Sequence, residues 1–188
     1  MPRCVSFAWP IVILLWTSLA HAQTPTNAFQ DYFTADHAPS SYLKILESAH
    51  VAVIPNWISQ GRMDNALGDI KYTLDRFPNH PISLQQLGLV AQMTKNIPLA
   101  VTYFERAIAL FPQYALTRAQ YGLFLVAINY VDAGIERLKQ SVEMEPKLPA
   151  GYAGLAHAYE KKGDSEQARE AAKKARELGF AGKLPAGF

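Results

Sequence analysis

Cysteine is nearly missing from this chain. Cys4 is the only one in 188 residues, so no disulfide can form within the chain and no cysteine metal site can be built. Charge is missing from the first thirty residues apart from Arg3, and the apolar run "CVSFAWPIVILLWTSLA" follows it. That run is short for a membrane span and contains Pro10, while Ala20 and Ala22 are the small residues a secretory cleavage site needs. Residues 1–22 are therefore expected to be a cleaved signal peptide, with the cut before Gln23. Cys4 leaves with it, no membrane span remains, and the mature protein is expected to be periplasmic or secreted.

A dominant sign of charge is missing too. Lys and Arg number 18 against 16 Asp and Glu, a formal net charge of +2. Such a chain has no general field for nucleic acid or an anionic membrane. The chain also lacks a phosphate-binding glycine loop, a serine nucleophile elbow and a zinc-type histidine pair. Beyond the signal the histidines are His37, His50, His80 and His157, and no two stand at metal-ligand spacing on one helix. No metal, cofactor or catalytic residue is expected. His80 reads as a surface or capping residue between helices. Asp69 and Asp75 read as a solvated charged face beside Lys71 and Arg76. The run "KKGDSEQAREAAKKAREL" reads as an outer face with ion pairs, and without interleaved aromatics it offers no stacking platform for nucleic acid.

What the chain does have is a repeat. Pro78, Pro112 and Pro146 stand thirty-four residues apart. Taken as markers near unit ends, they give units 47–80, 81–114, 115–148 and 149–182. The eighth positions are Ile54, Gly88, Gly122 and Ala156, and the twentieth are Ala66, Ala100, Gly134 and Ala168. The twenty-fourth are Ile70, Phe104, Leu138 and Ala172. Small residues mostly align with small ones and large apolar ones with their like, which is the signature of a solenoid. Each unit holds two helix-length apolar patterns. Between them stand Gly61, Lys95–Asn96, Asn129 and "KKGD", residues of the kind that end helices in the left-handed conformation. The prolines stop the second helix of each unit, and Asn79 is expected to cap the next helix. Gly88 and Ala100 are expected to press together within one hairpin.

In its details the period resembles the tetratricopeptide repeat. The second unit places Leu84, Leu87, Gly88, Ala91, Ala100, Phe104, Ala107 and Pro112 on motif positions. The fourth matches with Tyr152, Leu155, Ala156, Tyr159, Gly163, Ala168 and Ala175, departing where Phe180 replaces the closing proline. The third is looser, with Arg118 and Ser141 at motif positions, and the first is degenerate, since Pro55 falls inside its first helix. The block "GDIKYTLDRFPNHP" is also similar to a stretch in exported bacterial repeat proteins of unassigned role. The resemblance implies an all-α fold: an α-solenoid of antiparallel hairpins, three good repeats after a broken first one.

It also implies a non-catalytic adaptor or scaffold that holds a protein or peptide partner in a concave groove. In the family the second, fifth, ninth, twelfth and thirteenth positions face that groove. Carried over, they are Ile82, Gln85, Leu89, Gln92 and Met93 in the second unit, and Leu116, Ala119, Leu123, Val126 and Ala127 in the third. The fourth contributes Ala150, Ala153, His157, Glu160 and Lys161. A carboxylate clamp of the chaperone-binding kind is not expected, because Val51 and Pro55 stand at the corresponding places. Helix "LTRAQYGLFLVAINY" carries more apolar residues than one buried stripe requires, so Leu123 and Val126 should be covered either by a partner or by the chain's own N-terminal segment. Two rival functions stand beside the adaptor: self-association as a homodimer through the groove, and a small-molecule site or enzyme around Trp57.

The flanks complete the reading. Residues 23–46 form a leader and a short helix that Ser40 or Ser41 can cap, and 183–188 form a tail. Phe29, Tyr32 and Phe33 belong to a leader that is either loose or folded back on the repeats. Phe180, Leu184 and Phe188 are candidates to cover the last hairpin.

Overall fold

The computed structural model describes residues 29–185. The expected signal peptide, its cleavage site and Phe188 lie outside them. Among the described residues the regular structure is entirely helical. A short α1 (Tyr42–Leu46) runs through a π turn, Glu47–Val51, into α2 (Ile54–Ser59). Then come α3 (Met63–Arg76), α4 (Pro81–Thr94), α5 (Ile97–Leu110), α6 (Ala115–Ala127), α7 (Val131–Met144), α8 (Pro149–Lys162) and α9 (Ser165–Glu177).

The hairpins turn at Gly61, Lys95, Asn129 and Gly163, all at positive φ between 59° and 86° and thirty-four residues apart. A Cβ disfavours this conformation, so glycine and asparagine suit it, while Lys95 adopts it as the C-cap of α4. The turns between hairpins follow another rule. Phe77, Phe111 and Glu145 each precede a proline, and each has φ between −136° and −125° with ψ between 67° and 86°. The proline ring bars the preceding residue from the helical region, so α3, α5 and α7 end at the same point of the repeat. The helix that follows Pro78 is capped by His80, not Asn79. His80 sits directly before Pro81, and its Nδ1 accepts from the Ser83 N–H at 3.1 Å. The Asn79 side chain is engaged elsewhere, with Asp31 and the Tyr32 N–H.

Burial follows the period. One cluster joins Ile54, Ile70, Leu74, Leu84, Leu87 and Phe104 to Tyr121 and Phe124 of α6. A second joins Val126, Ile135, Leu138 and the alanines of α8 and α9 to Leu184 of the tail. No single hairpin could bury such a face; stacking does it. The expected contact between small residues at the eighth and twentieth positions is present in the third unit. A Cβ on Gly134 would stand 2.8 Å from the Gly122 carbonyl oxygen. In the second unit the contact differs. A Cβ on Gly88 would meet Phe124 of α6 at 3.1 Å, and its nearest neighbours are atoms of that ring rather than of Ala100. Gly88 therefore makes room for the next hairpin.

The first unit is broken as Pro55 requires. In the π turn the Ala52 N–H reaches the Glu47 carbonyl, a five-residue step. Side chains bind the loosened segment to α3. Trp57 Nε1 donates to Asp69 Oδ2 at 2.8 Å, and His50 Nδ1 lies 2.8 Å from Asp69 Oδ1. Asp69 is thus a half-buried bridge and not part of a solvated face.

Candidate protein-interaction surface

The first helices of successive hairpins lie side by side, α6 packing on both α4 and α8. Their sixth positions set the contact. Gln86 Nε2 donates to the Val51 carbonyl at 3.3 Å, and Gln120 Nε2 to the Pro81 carbonyl at 2.9 Å. In α8 the sixth position is Gly154, and the Leu138 and Leu123 side chains fill the space where a glutamine would start. The third and fourth hairpins therefore meet through apolar contact where the earlier ones meet through amides.

This decides the exposure of the groove positions. On α4, Ile82, Leu89 and Met93 are 46%, 48% and 50% exposed, with Gln85 and Gln92 exposed among them. On α6, Leu116 and Leu123 are half-buried and Ala127 is exposed. Ala119 and Val126 are core residues, 1% and 5% exposed, which corrects the expectation that they offer surface to a partner. Val126 packs on Gly134 of α7, and its carbonyl accepts from Lys161 Nζ at 2.6 Å. The apolar surplus of α6 is spent on its own neighbours.

On α8, Ala150 is half-buried, Ala153 is buried, and Glu160 and Lys161 are exposed. His157 is half-buried, with Nε2 3.2 Å from the Lys183 carbonyl. The described part of the N-terminal segment meets the turns after α3 and α5: Gln30 N–H donates to the Arg76 carbonyl, and Phe29 packs edge-on to Phe111.

The region around Trp57 brings polar groups together, but they are turned on one another. Both Asp69 oxygens pair with side chains of the chain, the Tyr72 ring lies 4.3 Å from the His50 ring, and Arg62 lies 4.2 Å over Trp57. Among the described residues no group of three or more His, Cys, Asp or Glu could hold a metal ion. No helix among them is long and apolar enough to cross a membrane. An apolar cleft of about 650 Å³ lies between α5 and α6, lined by Ile97, Val101, Tyr121, Leu125 and Tyr130, away from the α4 stripe.

A profile of the tetratricopeptide repeat family matches residues 150–178, the span of α8 and α9. No curated protein sequence matches the chain. Among solved structures, MamA of Desulfovibrio magneticus RS-1 is similar at a TM-score of 0.52 and 24% identity, over 72% of this chain and 75% of that one. Another MamA crystal structure gives 0.51 and 23%, over 73% and 78%. PilF of Pseudomonas aeruginosa gives 0.56 and 18%, over 74% of this chain and 64% of PilF. At these identities the likeness is one of fold, and the fold is the helical-hairpin stack described above. The fourth hairpin thus matches the tetratricopeptide repeat, and the chain as a whole shares the helical-hairpin solenoid fold of these structures.

Proposed function

We propose that the chain is an exported, non-catalytic adaptor that holds a protein or peptide partner against the face of α4 bearing Ile82, Leu89 and Met93. The fold suggests an interaction scaffold, an argument by analogy. The observation that carries the reading is the stripe itself. Three large apolar side chains each stand about half exposed along one helix, with glutamines between them and half-buried Leu116 and Leu123 on the neighbouring helix. An amphipathic helix or an extended segment with apolar anchors suits such a surface.

The test is a double substitution, Leu89→Glu with Met93→Glu. Both side chains are about half exposed, so urea unfolding should move by no more than ~1 kcal/mol, ~0.5 for each. Affinity capture from the native extract should lose its partner, because a carboxylate buried at an apolar contact lacks compensation. The bait should be the protein from the exported fraction, whose intact mass should lack residues 1–22. A variant that captures the same proteins as the parent would remove the stripe from consideration. A concentration-dependent dimer abolished by the variant would assign the stripe to a second copy.

A further inference from the structure

The edge of the stack where α3 and α5 turn into α4 and α6 carries a second arrangement. The two turns are equivalent, Phe77-Pro78-Asn79-His80 and Phe111-Pro112-Gln113-Tyr114. Phe29–Thr34 lie across both. Each turn supplies a ring at its last position: Tyr32 sits edge-on to His80 at 4.7 Å, and Phe33 lies on Tyr114 at 4.3 Å. Phe111 receives Phe29 at 6.1 Å. The third turn, Glu145-Pro146-Lys147-Leu148, has neither ring, so the arrangement ends at the second.

The polar contacts are equally particular. Asp31 accepts from Asn79 Nδ2 at 2.7 Å and from the Tyr114 hydroxyl at 2.6 Å. Asn79 Oδ1 accepts from the Tyr32 N–H at 2.9 Å. Asn79 and His80 are fully buried, whereas Phe29–Thr34 contain no buried residue. His80 is fixed from behind by Ser83 and by Glu47. His80 is thus held in place by the stack itself, and the segment rests on the turns from outside, as a ligand rests on a receptor. The residues that follow, Asp36–Ser40, are exposed.

We propose that this edge is a peptide-binding site, separate from the α4 stripe, for a segment of pattern aromatic-x-Asp-aromatic-aromatic that makes a single 3₁₀ turn capped by its Asp, and that Phe29–Phe33 occupy it in cis. A partner carrying the same pattern binds by displacing the strap. The strap competes at the high effective concentration of a tethered ligand, so the intact chain binds such a partner weakly and a chain with a loosened strap binds it well.

The test uses the full chain with a protease site inserted between Ala38 and Pro39, and a fluorescein-labelled peptide of the sequence Phe29–Asp36. After cleavage the protein should keep its helical circular dichroism and bind the peptide saturably by anisotropy, at least tenfold more tightly than the uncleaved chain does. A peptide with Asp31→Ala should bind at least tenfold more weakly than the parent peptide. The uncleaved chain carrying Asp31→Ala, which retains the whole stack, should take up the parent peptide nearly as well as the cleaved chain does. Loss of the helical signal once the strap is removed would make the strap part of the core and overturn the proposal. So would a folded, cleaved chain that ignores the peptide, or one that binds the Asp31→Ala peptide equally well.

Discussion

His80 shows how much one side chain can hold. Its Nδ1 accepts from the Ser83 N–H and its Nε2 faces Glu47 Oε1 at 3.2 Å, an arrangement that needs the neutral imidazole protonated on Nε2. Burial lowers its pKa, and the hydrogen bond and charge of Glu47 only partly oppose this, with Lys44 adding to the lowering. Tyr32 faces it from the strap. Below the unfolded value of about 6.5 the unfolded chain takes up a proton that folded His80 does not. Stability is therefore full above that value and falls as pH drops through the lower folded one. Glu47 acts in a separate, more acidic window. Burial would raise its carboxyl, but hydrogen bonds from Lys44 and His80 hold it below the usual range. Its contribution is present above the unfolded value of about 4.3 and lost as pH falls through the folded one. His80→Asn keeps a capping acceptor but loses the Glu47 contact. It should cost about 1 kcal/mol at pH 8, and its stability should change less between pH 7 and pH 5 than the parent's. Urea midpoints across that range check this. Parallel curves would mean that His80 titrates as it does in the unfolded chain.

At the scale of helices, one substitution has opposite signs at two glycines. Gly68 lies in α3 with nothing within 4 Å of where a Cβ would stand. Gly68→Ala should stabilise by ~0.5–1 kcal/mol, the helix-interior difference between the two residues. Gly134 lies where α6 and α7 touch, and its Cβ would fall 2.5 Å from Val126 Cγ2 and 2.8 Å from the Gly122 carbonyl oxygen. Gly134→Ala must push backbone against backbone, which cannot yield as a side chain can. The strain should exceed the propensity gain, for a net loss of ~1–3 kcal/mol. Thermal melts of the two variants test the pair, and a stable Gly134→Ala would show that the helices can separate cheaply. The helices themselves were legible in the sequence. The prolines, the glycines and the thirty-four-residue period locate hairpins and turns because each acts through its own backbone. The break at Pro55 was legible for the same reason. The π turn was not, because its His50 meets Asp69 of α3, a contact between elements that no local pattern marks.

At the scale of the molecule, a stack of hairpins has two ends that must be covered. Leu43, Leu46, Val51 and Phe77 form a small cluster at the first. The tail covers the last: Leu184 is 5% exposed within the second cluster, Phe180 packs against it, and Arg176 holds the carbonyls of Phe180 and Gly182. Leu184→Ala should therefore cost about 2 kcal/mol, the low end for a buried leucine, since a terminal segment can settle into part of the space. An unchanged urea midpoint would show that the tail adds nothing to the core.

The all-α class, the hairpin repeat and the points where helices stop can be read along the chain. These follow from local conformational limits and from a period that every unit shares. Which groove positions face solvent depends on how the hairpins pack. Leu89 and Leu123 hold the same place in their units, and no local rule separates them. Gly154 lets α8 approach until Leu123 is half covered, and the contact with Gly134 buries Val126. Along α4, Ile82, Leu89 and Met93 remain about half exposed. The strap was likewise undecided. Three aromatics signalled a segment able to pack, but the seat for it is made by two turns thirty-four residues apart, which become neighbours only when the hairpins stack.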